Sequence, residues 1–270
     1  MESSKLVLIT GHKGFIGQRL HSLIPHAEGF DIEENNDICG PLPDKPYTHI
    51  FHLAAMKSIP KGQLYPEDFV RVNCWGTLNL ILKYPNARII NVSSSSANNV
   101  RSVYGATKSF SELAGSLHEN CLNVRLYNVF GEGQPFSSGA AFPSFMLAKL
   151  TKTPPILYDH GRQRRDFTYV GDVVENLVDL MFNSAKTGLT HLGYRRSISV
   201  KSLLGMIYES GSVLYENRPK REFEINFSAS PNTMRIIKYG RQDGIYQTIK
   251  WYQDEFTSGR IHAPGPQTKA

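Results

Sequence analysis

An apolar run that leads into three evenly spaced glycines, close to the start of the chain, constrains the fold most. Residues 6–10, Leu-Val-Leu-Ile-Thr, show no polar alternation and predict a strand buried on both faces of a parallel sheet. Apolar residues at helical spacing in 15–24 predict a helix that packs back onto that strand. Between the two lie Gly11, Gly14 and Gly17. A glycine turn between strand and helix is typical of dinucleotide sites, where backbone N–H groups meet a pyrophosphate.

A tyrosine and a lysine four residues apart form the second feature. Tyr104 and Lys108 fall on one face of a predicted helix over 103–119. A free phenol has a pKa near ~10, and a fixed cation lowers it towards the range of a general base. The pair alone is weak, because the same spacing occurs on many amphipathic helices where tyrosine half-packs and lysine extends to solvent.

Together with these two motifs, five further stretches resemble the extended short-chain dehydrogenase/reductase family. The chain is similar to its branch of nucleotide-sugar epimerases and dehydratases, of the UDP-glucose 4-epimerase type, from about residue 5 to 256. The further stretches are 52–57 (HLAAMK), 72–77 (VNCWGT), 92–96 (VSSSS), 125–131 (RLYNVFG) and 165–170 (RDFTYV).

Alternating strand and helix patterns predict an α/β protein with a doubly wound parallel sheet of the Rossmann type and a small C-terminal substrate lobe. Residues 1–130 and 167–193 are assigned to the dinucleotide-binding domain. Residues 131–166, which open with a loop rich in Gly, Ser and Pro, are assigned with 194–258 to the lobe. The tail 259–270 is predicted to be disordered.

The resemblance implies NAD as cofactor, and Asp31 supports it from its position. A carboxylate at the end of the second strand bonds the adenosine ribose hydroxyls and repels a 2′-phosphate. Lys13, in the glycine turn, favours NADP instead, so this alternative stays open. The cofactor-binding residues implied are Gly11, Gly14, Phe15, Ile16, Gly17, Asp31, Asp37, Ile38, Leu53, Ala54, Ala55, Lys57, Asn73, Tyr104 and Lys108.

The predicted catalytic residues are Tyr104, Lys108 and a serine at the end of the strand 88–94. A strand-end hydroxyl polarises the substrate oxygen beside the tyrosine. Alignment by the apolar edge of the strand favours Ser95, with Ser94 and Ser96 as alternatives. Only nine positions separate Ser95 from Tyr104, so the intervening loop is short for this family.

The predicted partner is a nucleotide sugar carrying UDP, dTDP or GDP. Arg165 is expected to grip its diphosphate, since a guanidinium forks onto phosphate better than an ammonium. Asn128 is expected to contact the same phosphates, and Arg221 or Arg218 to supply a second cation.

Composition and residue spacing argue against a membrane protein, a metal site and a nucleic-acid-binding protein. No apolar stretch approaches the ~20 residues of a membrane span, and no signal peptide is evident, which predicts a cytoplasmic protein. Three cysteines without C-x-x-C spacing predict reduced thiols, and the histidines lack metal-ligand spacing, so no metal is expected. The net charge of +6 suits anionic ligands, but no aromatic-interleaved basic stretch indicates nucleic acid. A homodimer is expected.

The lack of an acidic residue after the strand-end serine favours one reaction within this family. Dehydratases and decarboxylases need an acidic residue at or just after the strand-end hydroxyl, and residues 95–99 contain none. This favours a nucleotide-sugar 4-epimerase with a transient 4-keto intermediate. The alternatives are an NAD(P)H-dependent 4-keto-sugar reductase and a non-catalytic dinucleotide- or nucleotide-sugar-binding protein.

Overall fold

The computed structural model describes residues 5–98, 100–208, 211–217 and 234–264. The strands are β1 (Val7–Thr10), β2 (Glu28–Phe30), β3 (His49–His52), β4 (Arg88–Ser94), β5 (Cys121–Leu126), β6 (Asn128–Phe130), β7 (Ile156–Tyr158), β8 (Arg164–Arg165), β9 (Phe167–Tyr169), β10 (Gly188–Leu192), β11 (Ile198–Ser199) and β12 (Leu214–Glu216). The α-helices are α1 (Phe15–Leu23), α2 (Ile59–Leu64), α3 (Pro66–Phe69), α4 (Gly76–Lys83), α5 (Val103–Ser116), α6 (Ala141–Thr151), α7 (Val170–Phe182), α8 (Val200–Ile207) and α9 (Gly240–Thr257). A π-helical segment, Val70–Trp75, joins α3 to α4.

Six strands form one parallel sheet in the order β10-β5-β4-β3-β1-β2. The predicted α/β class and parallel sheet are therefore confirmed. Chain order reverses between β1 and β3, and in such sheets ligands bind at the carboxyl ends of the strands beside the reversal. The fold thus places the glycine turn after β1 next to the loop after β3.

The alternation of side chains along the central strands divides the core into two clusters. Val7 and Ile9 belong to the cluster that contains residues of α1 and α7, whereas Leu8 joins residues of α4 and α5. Leu8 and Ile9 are completely buried. Full burial of such a side chain stabilises the fold by about 1.5–3 kcal/mol, so a strand apolar on both faces is held firmly at the sheet centre.

Smaller strand pairs build the region beside the sheet. β6 pairs with β9, β8 with β11, and β7 with β12. Residues 167–193 were assigned from the sequence to the dinucleotide-binding domain. The first strand of that range, β9, lies outside the six-stranded sheet because its partner is β6. The boundaries proposed for the two domains stay a prediction.

The first residues of the predicted tail, 259–264, lie within the described part of the chain, and the disorder of the tail stays a prediction. After α9, the backbone N–H groups of Gly259 and Arg260 donate to the carbonyls of Phe256 and Glu255, and the Arg260 guanidinium grips the Glu255 carboxylate at 2.7 and 2.8 Å. The tail therefore begins with a turn back onto α9, and residues 265–270 lie outside the described part of the chain. Across the described residues, no helix is long and apolar enough to cross a membrane.

Candidate active site

The turn after β1 is built so that only glycine fits it. Gly11 has φ +73°, and a Cβ there would lie 2.6 Å from the Ala54 backbone nitrogen. A Cβ on Gly17 would lie 2.1 Å from the Gly11 carbonyl oxygen. The N-cap of α1 is Gly14, which provides no side-chain cap. The first N–H groups of α1 are thus left to other acceptors at the carboxyl edge of the sheet, which suits a pyrophosphate.

A cavity of about 600 Å³ opens over this turn. Its walls come from the glycine turn, the end of β2, the loop after β3 and the segment before α4. Twelve of the predicted cofactor residues line it: Gly11, Gly14, Phe15, Ile16, Gly17, Asp31, Asp37, Ile38, Leu53, Ala54, Ala55 and Lys57. Val92 of β4 also lines this cleft, which we call the dinucleotide cleft.

Asp31 follows the end of β2, and Lys13, in the turn after β1, lies close to it and to two further acidic residues, Glu33 and Glu34. The Asp31 carboxylate accepts the backbone N–H groups of Lys13 and Glu33 at 2.9 and 3.1 Å. The Lys13 ammonium instead pairs with Glu34 at 2.8 Å, and this hydrogen bond raises the lysine pKa. Because the lysine is neutralised by its own acidic neighbour, it offers little attraction to a 2′-phosphate.

The far wall of the cleft carries Asp37 and Ile38. The Arg71 guanidinium bonds the Asp37 carboxylate at 2.8 Å and keeps the pKa of that carboxyl below its usual value. Arg71 lines the cleft as well. On the opposite side, burial lowers the pKa of Lys57.

Asn73 lies behind the lining rather than in it, contrary to the contact expected from the sequence. Its side-chain carbonyl accepts the Met56 N–H at 2.7 Å, and its amide donates to the Met56 carbonyl and the Thr107 hydroxyl, both at 3.0 Å. The side chain is buried. Asn73 therefore ties the loop after β3 to α5.

His52 is a satisfied core residue, as the sequence predicted. Its Nδ1 lies 2.8 Å from the Thr10 hydroxyl and its Nε2 lies 3.0 Å from the Thr77 hydroxyl. Since Thr77 donates to the Asn73 carbonyl, Nε2 carries the hydrogen and Nδ1 accepts from Thr10. Burial and the Lys108 charge lower the pKa of His52 to about 3, so the ring is neutral.

Tyr104 and Lys108 stand on one face of α5, which begins at the Ser102 cap. The Tyr104 phenol lies next to the Ser94 side chain, and its ring meets the edge of Phe69 at 6.3 Å between centroids. The Lys108 ammonium donates to the Val92 carbonyl at 2.6 Å. Because Val92 lines the dinucleotide cleft, the structure brings the helix pair to the edge of that cleft.

The electrostatics of this pair differ from the sequence expectation. Burial raises the pKa of Tyr104, and the neighbouring Ser94 side chain is the influence that lowers it. Burial also lowers the pKa of Lys108 to about 8, while the charge of Glu112 acts in the opposite direction. The expected lowering of the tyrosine pKa by lysine is not what the structure shows, because the ammonium bonds the Val92 carbonyl.

The serine favoured from the sequence is not the one at Tyr104. Ser94 ends β4 and meets the phenol, whereas Ser95 begins a 3₁₀ turn over Ser95–Asn98 and is 7% exposed. The physical reason is the pleat, because adjacent strand residues point to opposite faces and Ser94 shares the face of Val92. Ser96, the other alternative, donates its backbone N–H to the Ser94 hydroxyl.

Two of the predicted substrate residues meet in a second cavity, of about 310 Å³. Asn128 and Arg165 both line it, together with Tyr158 and Gln163. Arg165 belongs to β8, and its guanidinium donates to the Arg164 carbonyl at 2.7 Å. The predicted Arg221 and its alternative Arg218 lie outside the described residues.

An ion pair that was not predicted from the sequence joins α5 to β5. The Arg125 guanidinium grips the Glu112 carboxylate with contacts of 2.7 and 2.6 Å. One signal was available, since Glu112 follows Lys108 by four residues and so shares its face of α5. Its partner on β5 could not be deduced from spacing.

The chain is similar in sequence to known proteins over most of its length. The profile of the NAD dependent epimerase/dehydratase family matches residues 7–190. A putative UDP-glucose 4-epimerase of Methanocaldococcus jannaschii is 25% identical over 82% of this chain and 88% of its own. UDP-glucuronic acid decarboxylase 4 of Arabidopsis thaliana is 24% identical over 84% of this chain. The match spans only 61% of that decarboxylase.

Solved structures show the same architecture. The UDP-N-acetylglucosamine 4-epimerase of Methanobrevibacter ruminantium, in complex with UDP-N-acetylmuramic acid, superposes with a TM-score of 0.80 at 25% identity. That comparison covers 93% of this chain and 99% of the other. The UDP-glucose 4-epimerase of Thermus thermophilus, in complex with NAD, gives a TM-score of 0.76 at 22% identity over 92% and 98% of the two chains.

Proposed function

Since the chain belongs to the NAD dependent epimerase/dehydratase family, we propose that it is a nucleotide-sugar 4-epimerase that uses NAD. The observation that carries the proposal is the placement of the Ser94 side chain next to the Tyr104 phenol, with Lys108 on the same helix face at the edge of the dinucleotide cleft. Such a pair of hydroxyls serves proton transfer at one oxygen, which is what oxidation and reduction at a single sugar carbon require.

The residues of the cleft fit NAD. A Cβ on Gly11 would collide with the backbone of the loop after β3, and a Cβ on Gly17 with the backbone of the turn itself. Because α1 also begins without a side-chain cap, the turn presents backbone N–H groups to an anion. Asp31 stands at the end of β2, where a carboxylate selects ribose hydroxyls over a 2′-phosphate. When bound there, NAD supplies the oxidant that removes hydrogen from the sugar as hydride and returns it.

The protein's own part is to handle the proton. Burial keeps the Tyr104 phenol protonated at neutral pH, so a nearby positive charge is needed before it can accept a proton from the sugar hydroxyl. Lys108, on the same helix face, is a buried cation; its ammonium bonds the Val92 carbonyl in the structure, and we propose that it acts on Tyr104 once cofactor and substrate are bound. Ser94 lies next to the phenol and offers a second hydroxyl to the same substrate oxygen.

The second cavity suits the nucleoside diphosphate of the substrate. Arg165 brings a planar guanidinium with paired donors, the geometry that phosphates accept best, and Asn128 adds an amide on the same wall. Several relatives support this class, since solved neighbours hold UDP-glucose with NAD or UDP-N-acetylmuramic acid.

The choice of epimerase over decarboxylase or dehydratase rests on the residues after Ser94. Relatives of this chain include UDP-glucuronic acid decarboxylases and a hexosamine 5,6-dehydratase. Those reactions need a further acid or base near the reacting carbons. The segment 95–103 contains neither aspartate nor glutamate.

The test is turnover of a panel of UDP-, dTDP- and GDP-sugars with substoichiometric NAD, followed by proton NMR of the sugar. We expect the C4 epimer to appear without net formation of NADH or release of carbon dioxide. Consumption of NADPH with a 4-keto sugar would establish a reductase instead, and carbon dioxide from a UDP-uronic acid would establish a decarboxylase. Binding of these ligands with no turnover across the panel would favour a non-catalytic binding protein.

The assembly belongs to the same proposal. Two packed helices, α4 and α5, expose large apolar side chains to solvent, and we propose that a second copy of the chain covers them. Phe110 and Leu113 of α5 recur at helical spacing with Leu117, which caps the end of that helix. The protein is then a homodimer.

A further inference from the structure

Glu112 continues the face of α5 that carries the proposed catalytic pair, since it lies four residues after Lys108 and eight after Tyr104. The residue is 8% exposed. The Arg125 guanidinium from β5 grips its carboxylate with two hydrogen bonds, from Nε to Oε1 at 2.7 Å and from the second terminal nitrogen to Oε2 at 2.6 Å. An ionised glutamate is thus fixed beneath the site.

The same ion pair holds the segment on either side of Ser94. The Ser93 hydroxyl donates to Glu112 Oε1 at 2.5 Å. The other terminal nitrogen of Arg125 donates to the Asn98 side-chain oxygen at 2.8 Å. Ser93 directly precedes Ser94, and Asn98 ends the 3₁₀ turn that starts at Ser95. Glu112 and Arg125 therefore anchor both ends of the six-residue segment 93–98.

Charged and titratable groups face Lys108 from three directions. Glu112 and Tyr104 are on its own helix, Cys74 faces it from the π-helical segment, and His52 faces it from β3. His52 is neutral, and burial raises the pKa of the Cys74 thiol. Among these groups, the Glu112 carboxylate is the one whose charge most opposes the cost of burying the ammonium.

Stability alone gives a weak reason for this arrangement. A buried ion pair loses hydration on both partners, and well-packed apolar residues of similar volume are often as stable or more so. The hydrogen bonds of Glu112 and Arg125 lead instead to Ser93 and Asn98, and the charge of Glu112 acts on Lys108; all three residues adjoin the proposed site.

We infer that Glu112 and Arg125 are positioning residues: they fix the strand end that presents Ser94, and Glu112 keeps Lys108 positively charged. The inference rests on the proposed function for its catalytic meaning, but its electrostatic content concerns this chain alone. The first experiment therefore needs no substrate.

That experiment is an NMR titration of protein labelled with ¹³C at lysine Cε, with Lys108→Met used to assign the resonance. We expect Glu112→Gln to lower the pKa of Lys108 by about one unit, because an opposite charge is lost. Arg125→Met leaves the glutamate charge in place and is expected not to lower it. Glu255→Gln is the matched control, since it breaks an equivalent arginine fork on the surface of α9 and should leave Lys108 unchanged.

If Glu112→Gln does not fold, the double variant Glu112→Leu/Arg125→Met carries the same test, since it removes the buried pair as a unit and should also lower the pKa of Lys108. An unchanged Lys108 pKa after loss of the Glu112 charge overturns the inference. An equal fall in Glu112→Gln and Arg125→Met overturns it as well, because that result reports general loosening of the core.

Turnover supplies the second readout once a substrate is known. Glu112→Gln should reduce kcat more than it raises KM, and the limb of the kcat–pH profile that follows Lys108 should move to lower pH. Glu112→Asp, which keeps the charge on a shorter side chain, should restore the position of that limb. A limb that stays in place in Glu112→Gln overturns the inference, whereas absence of epimerase activity in the unmodified protein counts against the proposed function and leaves the NMR result standing.

Discussion

Ser94 and Ser95 are neighbours in the chain but lie in different surroundings, and this difference gives a direct test of the site. Ser94 lies next to the Tyr104 phenol, while Ser95 is buried in the turn that follows. We expect Ser94→Ala to reduce turnover by roughly 10²-fold and Tyr104→Phe to reduce it by roughly 10²–10⁴-fold. The affinity for NAD should be nearly unchanged in both variants.

Ser95→Ala is the matched control for the strand end, and Tyr246→Phe is the control for the tyrosine, since Tyr246 is 70% exposed on α9. Steady-state kinetics with the identified sugar and calorimetry with NAD make the measurement. A larger loss in Ser95→Ala than in Ser94→Ala would return the role to the residue that the sequence favoured.

The preference for NAD over NADP depends on the charge of Asp31. The carboxylate lies in the cleft lining, and the neighbouring Lys13 is paired with Glu34. Titration calorimetry should therefore show tighter binding of NAD than of NADP by the unmodified protein. Asp31→Asn, which keeps one side-chain oxygen but removes the charge, should narrow the gap.

The informative control here is Glu34→Gln, which frees the Lys13 ammonium and should improve NADP binding without weakening NAD. Equal affinities of the unmodified protein for the two cofactors would contradict the role of Asp31.

Arg165 is proposed to bind a diphosphate at a distance from the reacting carbon. Hydrogen bonds to a charged group are worth about 1.5–3 kcal/mol, so Arg165→Ala should weaken affinity for the nucleoside diphosphate about ten- to a hundredfold. Arg165→Lys should recover only part of this loss, because the planar fork is gone. Calorimetry with UDP, dTDP and GDP measures the effect.

Arg162→Ala controls for net charge, since Arg162 is an exposed arginine three positions away. If Arg165→Ala binds the same nucleotide as tightly as the unmodified protein, the assignment of this residue fails.

At the scale of elements, buried His52 links β1 to α4 and makes stability depend on pH. Its pKa is lowered from 6.5 to about 3 in the folded protein. Between these values the unfolded chain binds more protons than the folded one, so the free energy of unfolding falls as the pH drops from about 6.5 towards 3. The limiting slope for one group is about 1.4 kcal/mol per pH unit.

Urea unfolding at several pH values between 7 and 4 measures this dependence. His52→Gln removes the titrating group while retaining polar atoms, so its free energy of unfolding should be lower at pH 7 and should depend less on pH in this window. The prediction fails if the two proteins show the same pH dependence.

The elements themselves were largely predictable, and the contacts between them were not. The run 6–10 and the glycines gave β1, the turn and α1 because uninterrupted apolarity and glycine spacing are local properties. The choice between Ser94 and Ser95 depended on where the pleat of β4 ends and the turn begins, which no local pattern defines. The hydrogen bonds of Asn73 could not be foreseen for a similar reason, since its partners are on the β3 loop and α5.

At the scale of the molecule, the order of the strands brings most of the predicted cofactor residues together, and their role in binding NAD stays a prediction. The switch point between β1 and β3 brings twelve of the predicted cofactor residues to one cleft, although they come from four separate parts of the sequence. The Tyr104 environment could not be foreseen, because it depends on how deeply α5 is buried and on the Val92 carbonyl that takes the Lys108 ammonium.

The proposed homodimer gives a prediction at the same scale. Leu113 of α5 and Leu117 at its C-cap are 62% and 74% exposed, and Leu82 of the neighbouring α4 is 66% exposed. Large apolar side chains clustered on packed helices mark an interaction surface, and a stable interface buries about 800 Å² on each partner. A charge at its centre would be desolvated on association, so Leu113→Asp should convert the dimer to a monomer.

Light scattering coupled to size-exclusion chromatography measures the mass directly, and circular dichroism checks that the variant is folded. Tyr246→Asp is the matched control, because it introduces the same charge at an exposed residue on α9 and should leave the dimer intact. Because α5 also carries Tyr104 and Lys108, the kinetics of Leu113→Asp would show whether association supports the catalytic helix. An unmodified protein that runs as a monomer at micromolar concentration, or a Leu113→Asp variant that stays dimeric, would mean that this surface is not the interface.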